Sequence, residues 1–135
     1  MFLKIMVAID GSKTSTEALL EAKRMALAHQ GTLRIVYAAS DVDEADRKTG
    51  RTLLVQATSA LGEGVQADTR ILQAESIYGL NGIAEAIATA ANEWGADLVV
   101  MGSSHRQGLK RLVIGSVAEQ LIPKVNASIL LVRPR

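Results

Sequence analysis

The chain has 135 residues, 48% of them apolar and 21% charged, which suits one compact soluble domain over residues 1–135 and excludes a disordered or fibrous chain. A formal net charge of +1 and 3% aromatic residues exclude the basic field and stacking platforms of a nucleic-acid binder. The absence of cysteine removes disulfides, thiolate metal sites and a cysteine nucleophile, and fits a reducing, cytoplasmic setting.

The opening MFLKIMVAID is apolar over too few residues to cross a membrane and runs straight into Asp10, so LKIMVAI reads as a first strand. Ala18, Leu19, Ala22, Met25, Ala26 and His29 then recur at helical spacing. Thr14 with Glu17 has the form of a capping box, and Gly31 stops the helix. TLRIVYA is the second strand. From Asp43 to Leu61 a more polar helix follows, with Ala45, Leu53, Leu54, Ala57 and Leu61 as its inner stripe and Gly50 as a weak point in its first turns. ADTRILQ is the third strand. Asn81 is a natural cap for the next helix, where Ile83, Ala84, Ile87, Ala88, Ala91 and Trp94 share a face before Gly95 ends it. ADLVVM is the fourth strand, and a glycine-bracketed loop leads from it to a last helix. There Ser116 and Glu119 repeat the capping box, and Val117, Leu121, Ile122 and Val125 point inward until Pro123 marks the final turns. SILLVR is the fifth strand. Short β-branched runs alternating with helical stretches predict an α/β domain: an open five-stranded parallel sheet with helices on both faces.

In such a sheet ligands bind outside the carboxyl ends of the strands, where the winding direction reverses. The first strand ends in Asp10-Gly11-Ser12 and the fourth in Gly102; as neighbours at the reversal they would face one crevice. Free amides and a positive dipole end at Gly115, Ser116 and Val117 would attract phosphate, with Arg106, Lys110 and Arg111 adding charge. Two plainer alternatives stand beside this. Ser116 also serves as an ordinary helix cap, and Asp-Gly-Ser is a common turn whose carboxylate bonds nearby amides. The sequence has no G-x-x-x-x-G-K-[ST] loop and no G-x-S-x-G elbow, which argues against efficient catalysis and leaves slow hydrolysis of a bound phosphate ligand open.

The spacing G-x-x-G, nine residues, then G-S or G-T is the nucleotide motif of the universal stress proteins, and Gly102, position 105, Gly115 and Ser116 stand at that spacing. With MGSSHRQGLKRLVIGSVAEQLI, the opening IMVAIDGS and the closing ASILLVRP, essentially the whole chain resembles that family. The resemblance implies a Rossmann-type three-layer sandwich of the adenine-nucleotide-hydrolase kind and a small cytoplasmic regulatory protein. It further implies binding of ATP, with or without Mg2+, or another adenine nucleotide. By the same resemblance the ligand would be held by Ala8, Ile9, Asp10, Tyr37, Met101, Gly102, Ser103, His105, Gly115, Ser116 and Val117. It also implies homodimers through the final strand, which would be a sheet edge; composition and the short apolar start, not the resemblance, give the expectation of neither nucleic-acid nor membrane partners. Three positions depart from the family pattern. His105 replaces the second motif glycine, as a phosphate contact or a solvent-facing loop residue. Tyr37 stands where a smaller aliphatic residue is usual, and Asn81-Gly82-Ile83 replaces a segment that often begins with glycine and proline. The competing expectation, drawn from His105 and Tyr37, is a nucleotide-free dimeric interaction module.

Overall fold

All five apolar runs pair as parallel strands in the computed structural model, which describes residues 1–103 and 116–134. In chain order they are β1 (Lys4–Ala8), α1 (Lys13–His29), β2 (Thr32–Ser40), α2 (Glu44–Leu61), β3 (Ala67–Ala74), a 3-10 turn (Ser76–Tyr78), α3 (Leu80–Trp94), β4 (Leu98–Gly102), α4 (Ser116–Leu121) and β5 (Ser128–Val132). The strand order is β3-β2-β1-β4-β5, so the chain winds outward from β1 in one direction and then returns to it through β4. That reversal puts β1 beside β4, with Ala8 opposite Met101.

Pleating divides each strand between two cores, because successive side chains point to opposite faces. Ile5 and Val7 of β1 and Ile9 just beyond it, with Leu33 and Ile35 of β2, meet Ala18, Ala22 and Ala26 of α1 and Leu54, Ala57 and Leu61 of α2. Met6, Val36, Val99 and Met101 on the other face meet Ile87, Ala88 and Ala91 of α3 and Ala118 and Leu121 of α4. Helices therefore cover both faces, as the alternating pattern predicts.

Several local expectations are corrected by the neighbours each segment meets. Ser12, not Thr14, caps α1: its Oγ accepts from the Ser15 amide at 3.2 Å, because the turn out of β1 brings Ser12 to the helix mouth first. The helix ends with Gln30 in the left-handed conformation, and the Gly31 amide closes the end on the Ala26 carbonyl. In α2 the cap is Asp43, and Ala45 is exposed, while Asp46 beside it is the residue of the first turn that reaches β2. Asn81 does not cap α3; Gly79 precedes the first turn, and the Asn81 carboxamide instead accepts from Lys124 Nζ at 2.9 Å. Gly95 ends that helix in the left-handed conformation, as expected. Ile122 is half exposed, since α4 stops at Leu121 and the chain turns before Pro123.

The amino-terminal end of the sheet is closed by polar contacts. The Asp97 carboxylate accepts from the Leu3 and Lys4 amides at 2.9 and 2.8 Å, and these bonds hold its pKa below the usual carboxylate range. Trp94 takes Arg34 over its ring at 4.5 Å and Lys4 at 5.6 Å. The carboxyl end is left to the crevice.

Candidate functional site

Asp10 follows the last paired residues of β1 and is exposed at the carboxyl end of the sheet. One of its oxygens accepts from the Ser12 amide at 2.9 Å, across Gly11 at φ 86°, so the acidic turn anticipated from Asp-Gly-Ser is formed. Ala8 and Met101 lie side by side in the sheet, on the face of α3 and α4, and Gly102 ends β4 next to them. At Gly102 a β-carbon would lie 2.8 Å from the Thr14 backbone, so only glycine lets the start of α1 come this close to β4. The floor of the crevice is thus set by the approach of two main chains.

Three expected ligand residues face elsewhere. Ile9 is 8% exposed and packs into the core under α1 and α2, because it has the opposite pleat parity to Ala8. Ser103 is 2% exposed; both its amide and its hydroxyl donate to the Val132 carbonyl, at 2.8 and 3.3 Å, which ties β4 to β5 and turns the side chain away from the crevice. Tyr37 shares the parity of Ile9 and turns toward α2, away from Ala8 and Met101. On that side its ring lies against Gly50, where a β-carbon would come within 2.5 Å of the ring, and its hydroxyl meets Asp46 Oδ1 at 2.5 Å. Gly50 is therefore the seat of an aromatic ring and not a flaw in α2. Alternation along β2 would have pointed to Ala38, which shares the face of Ala8 and Met101.

Asp46 is the hub of the wall beside the crevice. Its second oxygen accepts from the Ser40 amide at 2.8 Å, while Arg47 donates to the carbonyls of Ser40 and Asp41. Asp41 in turn accepts from the Ser76 amide at 3.1 Å, joining the loops after β2 and β3. Burial, the bond to Asp46 and the negative charges of Asp46, Asp10 and Asp43 push the Tyr37 hydroxyl up to about 12. The Tyr37 and Ser40 bonds hold Asp46 below the usual carboxylate range. The folded protein thus keeps the phenol proton more firmly than the unfolded chain does. This contribution to stability is complete below about pH 10, the ordinary tyrosine value, and is lost as pH rises toward 12. Ultraviolet titration should show one tyrosine ionising only near 12, and Tyr37→Phe should abolish that step together with the alkaline loss of stability. A wild-type titration complete by about pH 10.5 would contradict the Tyr37–Asp46 bond.

Val117 begins the packed side of α4, half-buried against the core of that face. His105, Gly115 and the side chain of Ser116, with Arg106, Lys110 and Arg111, lie outside the described residues. Among the described residues no three histidine, cysteine or acidic side chains converge as a metal site, and no helix is long and apolar enough to cross a membrane.

Comparison with known proteins places this architecture. The family model described as the universal stress protein family matches residues 1–133. Universal stress protein YxiE of Bacillus subtilis is 32% identical over an alignment covering 98% of this chain and all of that protein. Among the solved structures that share the fold are two with a bound nucleotide in their names. One is the universal stress protein from Archaeoglobus fulgidus in complex with dAMP, with a TM-score of 0.77 and 22% identity over 97% of this chain and 98% of that one. The other is a universal stress protein in complex with cAMP, with a TM-score of 0.74 and 22% identity over 97% of each chain. With a family match that spans nearly every residue and a relative aligned over its full length, the chain belongs to the universal stress protein family.

Proposed function

We propose that this protein is a small cytoplasmic regulatory protein that binds an adenine nucleotide, ATP foremost, across the carboxyl ends of β1 and β4. The observation that carries this is the strand order, which makes the Asp10 turn and Gly102 neighbours where the winding reverses. An adenine ring is flat and needs shallow apolar walls; Ala8 and Ala38 supply small side chains on one face of β1 and β2. Asp10 keeps one oxygen free of the Ser12 amide, and a carboxylate oxygen accepts from ribose hydroxyls. The phosphates then run past Gly102 toward the start of α4 at Ser116 and Val117; Gly115, His105 and the basic residues Arg106, Lys110 and Arg111 join this proposal on the motif spacing alone. Mg2+ would arrive on the phosphate oxygens. The dAMP and cAMP complexes of the structural neighbours support the class of ligand.

Self-association belongs to the same proposal. β5 is a sheet edge with Ile129, Leu130 and Leu131 only partly buried, and an apolar edge invites pairing with a second copy. No nucleic acid or membrane partner is expected.

The alternative is a dimeric interaction module without nucleotide, and one observation favours it: the bond from the Ser12 amide accounts for Asp10 as a turn residue. Tyr37, turned to α2, gives that alternative no support. Purified protein should release an adenine nucleotide on acid extraction or bind ATP saturably in calorimetry, and ATP should raise its thermal midpoint. Asp10→Ala should weaken binding by roughly tenfold or more, as expected when a charged acceptor of ligand hydroxyls is lost. Neither heat nor stabilisation at millimolar ATP, ADP, AMP or cAMP would reject nucleotide binding. Sedimentation of the same samples should show a dimer, and a monomer at all concentrations would reject the β5 pairing.

A further inference from the structure

The sheet also ends at β3, whose outer side has no strand beside it among the described residues. A free strand edge presents unpaired main-chain donors and acceptors, and proteins commonly guard such edges with charge. The first half of β3 is guarded. Asp68 pairs with Arg34 at 2.9 Å and with Arg70 at 3.4 Å, and both Asp68 and Arg70 are exposed. The second half, Ile71, Leu72 and Gln73, carries no charge.

That unguarded half runs between two troughs of different chemistry. On the α2 side a cavity of about 550 Å³ lies between Leu54 and Val55 of α2 and Thr69 and Ile71 of β3, with Val55 71% exposed and Arg51 among its lining residues. On the α3 side a cavity of about 580 Å³ lies between Leu72 and the small residues Ala86 and Ala90, and Glu75, Glu85 and Glu93 stand among its lining residues. No lysine or arginine lines this second trough among the described residues; Lys124 reaches Glu85 at 3.0 Å, and Glu75 and Glu93 have no ion-pair partner among them.

We propose that the β3 edge takes up an extended segment of a partner protein in which aliphatic residues alternate with lysine or arginine. A strand added to an edge gains main-chain hydrogen bonds and sends its side chains alternately to the two faces of the sheet. On one face they meet Leu54, Val55 and Ile71, in a trough whose lining residues include no carboxylate to hold a basic residue and whose Arg51 is already paired with Glu44 at 3.0 Å. On the other they meet three carboxylates around an apolar floor, where a lysine or arginine is attracted by its charge and lays its methylenes along Leu72 and the alanines. From Gly82 to Glu93, α3 rises roughly 16 Å, the length of about five residues of extended chain. The segment is therefore short, with two or three cations.

The test uses the full chain and two labelled hexapeptides, one alternating valine with lysine and one alternating valine with glutamate, in fluorescence anisotropy. The basic peptide should bind at least roughly tenfold tighter than the acidic one and weaken as salt rises from about 50 to 500 mM. Glu75→Lys with Glu93→Lys, both exposed and checked for an unchanged melting curve, should weaken it by about tenfold or more. Amide exchange by NMR should slow, when the peptide binds, at the alternate amides of Ile71–Gln73 that point away from β2. Equal binding of the two peptides, an unaffected double variant, or protection confined to other residues would overturn the proposal. So would protection of Ile71–Gln73 that grows with protein concentration alone, since a second copy would then hold the edge.

Discussion

Leu121→Ala should lower the stability of the fold by about 3 kcal/mol, within the roughly 2–5 kcal/mol seen when a buried leucine is cut back to alanine, and should reduce nucleotide affinity as well. Leu121 is 0% exposed and Ala118 2%, and with Met6, Val99 and Met101 of the sheet and Ile87 and Ala91 of α3 they form the core of that face. Six residues of helix, Ser116–Leu121, are too few to hold their shape by hydrogen bonding alone, because the cost of nucleation is recovered only over several turns. Packing beneath Ala118 and Leu121 keeps α4 on the sheet, and with it the helix start proposed to face the phosphates. A loss of this size lowers the thermal midpoint by roughly 10 °C in a domain of this length. Denaturant titration gives the stability and calorimetry on the folded variant gives the affinity. A stability change under about 1 kcal/mol would mean that α4 is not anchored by this side chain.

Gly102→Ala should likewise destabilise, by roughly 1–2 kcal/mol net, and should abolish nucleotide binding if the crevice is the binding site. Two effects of opposite sign compete. Alanine restricts the unfolded chain and by that route would stabilise by about 0.4–1 kcal/mol. Its β-carbon, however, would sit 2.8 Å from the carbonyl carbon, the oxygen and Cβ of Thr14, and two of these are main-chain atoms of the first turn of α1. That turn is held by the Ser12 cap and by the Ser15 hydroxyl, which donates to the Ser12 carbonyl at 2.9 Å, so it cannot yield without lifting the helix start. Overpacking of this kind costs about 1–3 kcal/mol and prevails. The chief displacement falls at the join of β1 and β4, beside Asp10. Equilibrium denaturation of the variant decides the sign: a gain in stability would show that the backbone approach at Gly102 imposes no constraint.

Local pattern and long-range packing contributed differently to what could be anticipated. Among the described residues the five strands and four helices follow from periodicities that any window of ten or so residues contains, and their boundaries fall close to the predicted ones except in α4, which stops at Leu121 instead of continuing to Val125. Caps were less legible. Ser12, Thr14, Ser15 and Thr16 all carry a suitable oxygen, and the exit of the chain from β1 through the Asp10 turn selects Ser12. Gly50 illustrates the same gap on a larger scale: thirteen residues separate it from Tyr37, and helix propensity alone marks it as a weakness, whereas the ring against it makes it the residue that fits.

For the candidate site, the chain positions of Ala8, Asp10, Met101 and Gly102 at strand ends were evident from the amino acids, as was the motif spacing that links the chain to its family. Side-chain direction was not. Ile9 and Tyr37 have the right distance along the chain but the wrong parity across the sheet, and Ser103 is drawn inward by the Val132 carbonyl, a residue twenty-nine positions away. The adjacency of β1 and β4 and the edge position of β5 were expected and are observed, whereas the choice of face and the lock between Tyr37 and Asp46 were decided only by tertiary structure, because each depends on which distant segments come to lie together. A periodic run of apolar residues specifies that a strand or helix will form and bury one side; it carries no record of the neighbour against which that side is buried.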